Sequence, residues 1–354
     1  MSLYEETIKD IEEKRARKQQ KLFNGVPFSL PRYRKYFDTF EKGTYMGIVA
    51  NSGVGKSRFL RHLIYHIVDF AIANRYMVKI LYFAMEDEKK QINKRIIAHY
   101  LYVKYGVSLS QQYLNSIDEP LPDKYLQLIK NDEPFWKLFE SIVWIINDAN
   151  TPNEILRICN NIHEKYGKTH HLFACLDNLA NVVADPSDEN EWSAIRRLSR
   201  NICRLHLCKT LGYTVIALVQ ADIDTEKGTF KNVGSKGLIN IEPNSASLGG
   251  TKVIIRDFYI LLGLFSPHKY EIEQYPYSGA YNVKVLRNKL LSLLCLKNNN
   301  GECAPRLCLN FDGKNEVITE LPQVEDKEAL EKLYNAVMKE ELEKKSKSPS
   351  FWTD

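Results

Sequence analysis

Short apolar runs alternate with longer amphipathic stretches along most of the chain, and that alternation sets the expected fold. The runs at residues 44–50, 78–84, 142–146, 172–176, 215–219 and 258–264 are short and often β-branched, as strands buried on both faces of a sheet are. A helical pattern over residues 56–74 separates the first two, and another over residues 88–105 follows, so the chain opens βαβα. This order predicts an α/β fold with a mostly parallel, twisted, doubly wound sheet flanked by helices. The last two apolar runs, 291–296 and 306–311, are separated by a short Gly-containing turn, which predicts an antiparallel edge.

The flanks read differently. Residues 4–22 form a charged helix whose apolar stripe (Tyr4, Ile8, Ile11) is too thin to be stable without a neighbour. Pro27 and Pro31 break the chain over residues 24–31, which reads as an extended linker. A second charged helix, with Leu330, Leu333, Val337 and Leu342 as its apolar positions, covers residues 324–346 and precedes a Ser/Lys-rich tip ending in Phe351 and Trp352. The expected division is therefore an N-terminal helix and linker at 1–40, a candidate subunit-docking arm, an α/β domain at 41–322, and a charged helix with a flexible tail at 323–354. Residues 106–140 receive no function.

Composition narrows the classes. The 354 residues are 44% hydrophobic and 26% charged, near the globular average, and no apolar run approaches the ~18–20 residues of a membrane span. Residues 1–20 alternate acids and bases without the apolar centre of a secretory signal, so a cytoplasmic protein with no membrane partner is expected. Seven cysteines without a Cys-x-x-Cys pair read as reduced thiols. Cys203, His206 and Cys208 do not converge as metal ligands at helical spacing. The net charge of +5 permits a nucleic-acid partner without demanding one.

Candidate chemistry begins at Ala50-Asn51-Ser52-Gly53-Val54-Gly55-Lys56-Ser57, a Walker A loop with Ala in place of its first Gly, between a predicted strand and helix. Asn51, Ser52, Gly53, Val54 and Gly55 would wrap phosphates in backbone N–H groups at a helix N-terminus, Lys56 would reach the β- and γ-phosphates, and Ser57 would ligand Mg²⁺. ATP and Mg²⁺ are the cofactors this implies. Glu86 follows the next strand, either to polarise an attacking water or as a charge at a helix N-terminus. Asp177 ends an apolar strand, either to hold Mg²⁺ through water or as a helix cap. Gln220 ends another, where an amide can sense the γ-phosphate.

The order of the Walker A loop, Leu81-Tyr82-Phe83-Ala84-Met85-Glu86, Asp177-Asn178-Leu179 and Val215-Ile216-Ala217-Leu218-Val219-Gln220 resembles the RecA-like P-loop ATPase domain of DnaB-type replicative helicases, over about residues 41–322. The resemblance implies an ATP-hydrolysing DNA helicase that assembles as a homo-hexamer or other ring on single-stranded DNA, with a primase or loader as a further partner. It places Lys297, in Leu296-Lys297-Asn298-Asn299-Asn300-Gly301, against a neighbour's nucleotide, and DNA on a loop holding Lys227, Lys231, Lys236, Gly249, Gly250 and Lys252. Asn299 stands where that family has Arg, so hydrolysis would be slow or another residue such as Arg306 would substitute. The helical N-terminal domain that the family uses toward primase has no counterpart before residue 41. An alternative is a RecA-like DNA-binding or remodelling ATPase without unwinding activity; a third reading is a nucleotide-binding structural subunit. The compact architecture sets a mild preference for a viral source.

Overall fold

The computed structural model describes residues 2–117, 119–221, 242–244, 252–276 and 281–347. Nine strands among them form one sheet: β1 Tyr45–Ala50, β2 Val78–Ala84, β3 Val143–Ile146, β4 His171–Asp177, β5 Thr214–Gln220, β6 Ile260–Phe265, β7 Leu290–Asn298, β8 Leu307–Asp312 and β9 Val317–Glu320. Their order across the sheet is β9-β8-β7-β6-β1-β5-β4-β2-β3. Every pairing from β6 through β1 to β3 is parallel, and β6 to β9 are joined antiparallel. The predicted mostly parallel sheet with an antiparallel edge is thus the observed one. β9 was not anticipated, because a four-residue strand that half alternates with polar Thr319 and Glu320 has little apolar signature.

The longer helices are α1 Leu3–Gln19, α2 Lys56–Asn74, α3 Lys89–Tyr105, α4 Asp123–Asn131, α5 Glu133–Ile142, α6 Pro152–Tyr166, α7 Glu191–Arg197 and α8 Lys327–Lys347, with α7 continuing into a π-helical stretch, Leu198–Thr210. Alternation along each strand sends side chains to opposite layers. Ile48, Ile80 and Ile216 pack with Phe59, Leu63 and Ile67 of α2. Val49, Leu81 and Val215 pack on the other face with Ile155 and Cys159 of α6 and with Ile202 and Cys203. The start of α6 is fixed locally by a capping box between Thr151 and Glu154 with Pro152 in the first turn.

The stretch around Pro27 and Pro31, read as a linker, belongs to the core. Val26 and Pro27 pair antiparallel with Phe40 and Thr39, and Phe28, Tyr33, Phe37 and Phe40 are buried against one another. Phe28 lies edge-on to Phe37 at 4.9 Å, and the Tyr33 hydroxyl donates to Leu293 O at 2.9 Å. Four aromatic side chains bring more apolar area than the two prolines remove in backbone pairing. By contrast α1 has no buried residue and touches the domain through ion pairs, Lys14 with Glu41 and Lys18 with Asp38. In the stretch without assigned function, Tyr100 stacks on Phe135 at 3.9 Å and meets Trp136 edge-on at 4.8 Å. Leu330 and Val337 of α8 are buried with Leu286 and Leu321. No described helix is long and apolar enough to cross a membrane.

Candidate functional site

β1 runs out at Ala50, whose register partner is Gln220 of β5, so the loop at residues 51–55 leaves from the carboxyl ends of two central strands. Ala50 is still in the strand, where no left-handed backbone is needed; this is why it can stand in the place of a glycine. The left-handed positions are Gly53, at φ +73°, and Gly55, at φ +107°. A Cβ on Gly55 would also approach the Phe311 ring to 3.3 Å. α2 then begins with no side-chain cap, so its first-turn N–H groups face the loop. The Lys56 ammonium donates to Ala50 O at 2.8 Å and to Asn51 O at 3.3 Å. From outside the loop, Lys269 donates to Ser52 O at 2.7 Å and the Asn51 amide bonds the Tyr270 hydroxyl, two supports more than two hundred residues away along the chain.

Opposite stands an acidic wall. The Ser57 hydroxyl donates to Asp177 Oδ1 at 2.9 Å, and the Tyr82 hydroxyl donates to Asp177 Oδ2 at 2.8 Å. Burial pushes the Asp177 carboxyl above the usual range, and these two hydrogen bonds act against the shift. Asp177 is not a cap: the short turn Leu179–Asn181 is capped by Asn178, whose Oδ1 accepts from Ala180 N. Asn178 also donates to Glu86 Oε2 at 3.0 Å. Glu86 lies before Glu88, the N-cap of α3, so it is outside the first helical turn. That removes the helix-charge reading and leaves an exposed carboxylate aimed by an amide.

Behind the wall is a buried polar chain. Arg61 of α2 forms a bidentate pair with Glu316, with Nε–Oε2 2.9 Å and Nη2–Oε1 2.6 Å, and the Tyr65 hydroxyl donates to Glu316 Oε2 at 2.9 Å. Arg61 Nη1 also donates to the Tyr82 hydroxyl at 3.4 Å. Burial alone would lower the Arg61 guanidinium, but the Glu316 carboxylate overrides it and holds it well above its ordinary value. The chain Glu316–Arg61–Tyr82–Asp177–Ser57 thus ties the β8–β9 turn to the loop.

These groups share a cavity of about 240 Å³, lined by Ser52, Gly53, Gly55, Lys56 and Ser57, by Glu86, Asn178 and Gln220, and by Arg58 and Arg95. The structure therefore brings together Gly53, Gly55, Lys56, Ser57, Glu86 and Gln220 with Asp177 directly behind them. Arg58 and Arg95 were missed; Arg58 is the residue after the loop motif, which was the one available signal. The converging donors fit the groups the sequence implies: helix-terminal amides and an ammonium suit phosphates, and a hydroxyl beside a carboxylate offers the hard oxygens that Mg²⁺ takes.

Other candidates lie elsewhere. Lys297, on β7, donates to Phe258 O at 2.6 Å and to Arg256 O at 3.2 Å, at the sheet end remote from the loop of its own chain. Arg306 pairs with Glu242 at 2.6 Å and lies over the Tyr275 ring. Cys203 and Cys208 are buried, and His206 bonds Asn160 at 2.8 Å. Lys252 opens a short helix, Lys252–Ile255, while Lys227, Lys231, Lys236, Gly249 and Gly250 lie outside the described residues.

No protein-family model matches the chain, and no curated protein matches it. Solved structures do. A DnaB-like replicative helicase, studied for its interactions with primase, superposes with a TM-score of 0.65 at 15% identity, covering 90% of this chain and 66% of that one. An ATPase domain solved on its own superposes with a TM-score of 0.64 at 16% identity, covering 91% of this chain and 99% of that one. The chain thus has the RecA-like fold of a DnaB-like ATPase domain, and spans just under two thirds of the helicase's length. The preference for a viral source is not borne out by these likenesses.

Proposed function

We propose that this chain is the motor subunit of a ring-forming, ATP-dependent DNA helicase that moves along single-stranded DNA during replication. The observation that carries the reading is the Ser57–Asp177 pair at the mouth of the phosphate loop, with Glu86 and Gln220 on the same cavity. Asn51, Ser52, Gly53, Val54 and Gly55 would bind the phosphates through the backbone, and Lys56 would exchange its carbonyl partners for β- and γ-phosphate oxygens. Mg²⁺, held by Ser57 and through water by Asp177, would supply neutralisation of the developing phosphate charge. Glu86, oriented by Asn178, positions and deprotonates the attacking water. Gln220 ends β5, directly before the segment proposed to hold DNA through Lys231, Lys236, Gly249, Gly250 and Lys252, so phosphate contact and strand contact are joined by one strand end.

Ring assembly puts Lys297 of one copy against the nucleotide of the next, and α1, with Leu3, Tyr4 and Ile11 exposed, is the arm that docks on a neighbour. A primase or loader is the further partner this role requires. The second reading, a RecA-like DNA-binding or remodelling ATPase without unwinding activity, is favoured by Asn299 in place of an arginine.

ATP hydrolysis with and without single-stranded DNA, beside Lys56→Ala, tests the proposal. Stimulation by DNA that Lys56→Ala abolishes supports a DNA motor, and a strand-displacement assay then separates the two readings. ATP binding without turnover at ring-forming protein concentrations would sink both.

A further inference from the structure

The end of the sheet remote from the phosphate loop carries a second concentration of positive charge. Met46 pairs with Ile260, and Ile260 with Asn298, so Lys297 and Asn298 lie where the parallel strands begin, while Ala50 and Gln220 lie where they end. Beside Lys297, Arg196, Arg200 and Arg204 recur at every fourth position. From Leu198 the segment is π-helical, and its wider turn keeps residues four apart on nearly one face. With Arg256 they line a basin of about 460 Å³.

The basin holds far more positive charge than it neutralises. Its one carboxylate among the lining residues, Asp257, is buried and already occupied, accepting from the Ser199 hydroxyl at 3.0 Å and pairing with Arg204 at 3.5 Å. Arg204 also lies over the Tyr259 ring, so its role is structural at least in part. Arg196, Arg200 and Arg256 are exposed and form no ion pair among the described residues. Burial and the charge of Arg204 hold the Lys297 ammonium below its ordinary range. Guanidiniums gathered on one concave surface repel one another, and their planar donor forks match phosphate oxygens.

We propose that this basin is a second phosphate-binding site, centred on Arg200 and Arg256 and separate from the phosphate loop. Lying at the opposite end of the strands, it serves phosphates presented from outside its own chain. Two sources share that chemistry: the nucleotide held by an adjacent copy, and the backbone of a nucleic-acid strand. The choice between them rests on the ring-forming reading above; the site itself does not. If the adjacent nucleotide is the source, these arginines supply the guanidinium that Asn299 cannot.

The test uses the full chain. In a Lys56→Ala background, which disables the phosphate loop, inorganic tripolyphosphate binding is measured by calorimetry, then again after adding Arg200→Gln and Arg256→Gln. A tenfold or greater loss of the remaining affinity, with an unchanged melting midpoint, is expected. Affinity indifferent to the two arginine substitutions, or no binding at all in the Lys56→Ala protein, overturns the site. Two further arms assign the source. Mixing Lys56→Ala protein with Arg200→Gln/Arg256→Gln protein restores ATP turnover if the neighbour's nucleotide is bound, because some interfaces then join an intact loop to an intact basin. A shallower salt dependence of oligo-dT binding, by about 1.4 in log–log slope for two charges on a single strand, identifies the strand instead. Absence of ATP turnover in the unsubstituted protein would defeat the helicase reading and leave the tripolyphosphate result to decide the basin alone.

Discussion

Tyr82 sits in the middle of an apolar strand and reads as core, yet its hydroxyl holds the carboxylate that the site turns on. Replacing it with Phe keeps the ring and removes one of two hydrogen bonds to a buried Asp177. Partners that orient metal ligands in this way are worth about 10–100-fold in metal affinity. Tyr82→Phe is therefore expected to raise the Mg²⁺ concentration for half-maximal turnover at least tenfold, with the same shift in direct Mn²⁺ binding and little change in thermal stability. His171 makes a different point. Thr214 Oγ1 donates to Glu41 O, so it must accept from His171 Nε2, which fixes a neutral tautomer with Nδ1 accepting from Tyr76. Burial, with Lys42 adding to it, pulls this imidazole down to about 3 from 6.5. The unfolded chain binds the proton first, so the stability that the neutral ring contributes is complete above about pH 6.5 and is lost as pH falls toward 3. A melting midpoint followed from pH 7 to pH 4 should fall more steeply in the parent protein than in His171→Gln.

At the scale of elements, α2 does two jobs. Its N-terminus faces the phosphate loop, and one turn further on Arg61 staples it to the β8–β9 turn through Glu316. Both charges are almost fully buried, at 1% and 3% exposure, so each depends on the other for solvation. Removing one partner of such a pair costs about 3–5 kcal/mol, because the survivor is left buried and unpaired. Glu316→Ala should lose that much in a denaturant titration, whereas Arg61→Met with Glu316→Leu should lose far less. A near-equal loss in the single and the double variant would mean that packing, not charge, holds the turn.

At the scale of the molecule, the sheet, the aromatic segment at 26–40 and α8 form one packed body, while α1 stands apart. Leu3 at 81%, Tyr4 at 74% and Ile11 at 53% exposure give this helix an apolar edge with no partner among the described residues. The core does not draw on it, since the buried apolar side chains begin at Val26. Deleting residues 1–20 is expected to leave the melting midpoint within a few degrees and to shift the assembly toward smaller species by light scattering. Unchanged assembly would remove α1 from the ring interface.

The sequence by itself determined what is local. Strand and helix boundaries such as 78–84 and 56–74 follow from periodicity, and the phosphate loop, Glu86, Asp177 and Gln220 from strand ends that a short run of residues spells out. The tertiary structure decided what depends on distant partners. Arg61 and Glu316 are 255 residues apart, Asn51 and Tyr270 are 219 apart, and Tyr33 and Leu293 are 260 apart. No pattern within a window shows such pairs, because a charge or hydroxyl in an apolar run looks the same whether it meets solvent or a buried partner. The same limit hid the seating of residues 26–40, where the prolines are local and the burial of four aromatic rings is not, and the joining of Arg200 to Arg256 across one basin. Propensity and spacing act along the chain, whereas burial and charge act through space, and only the folded sheet brings the second set together.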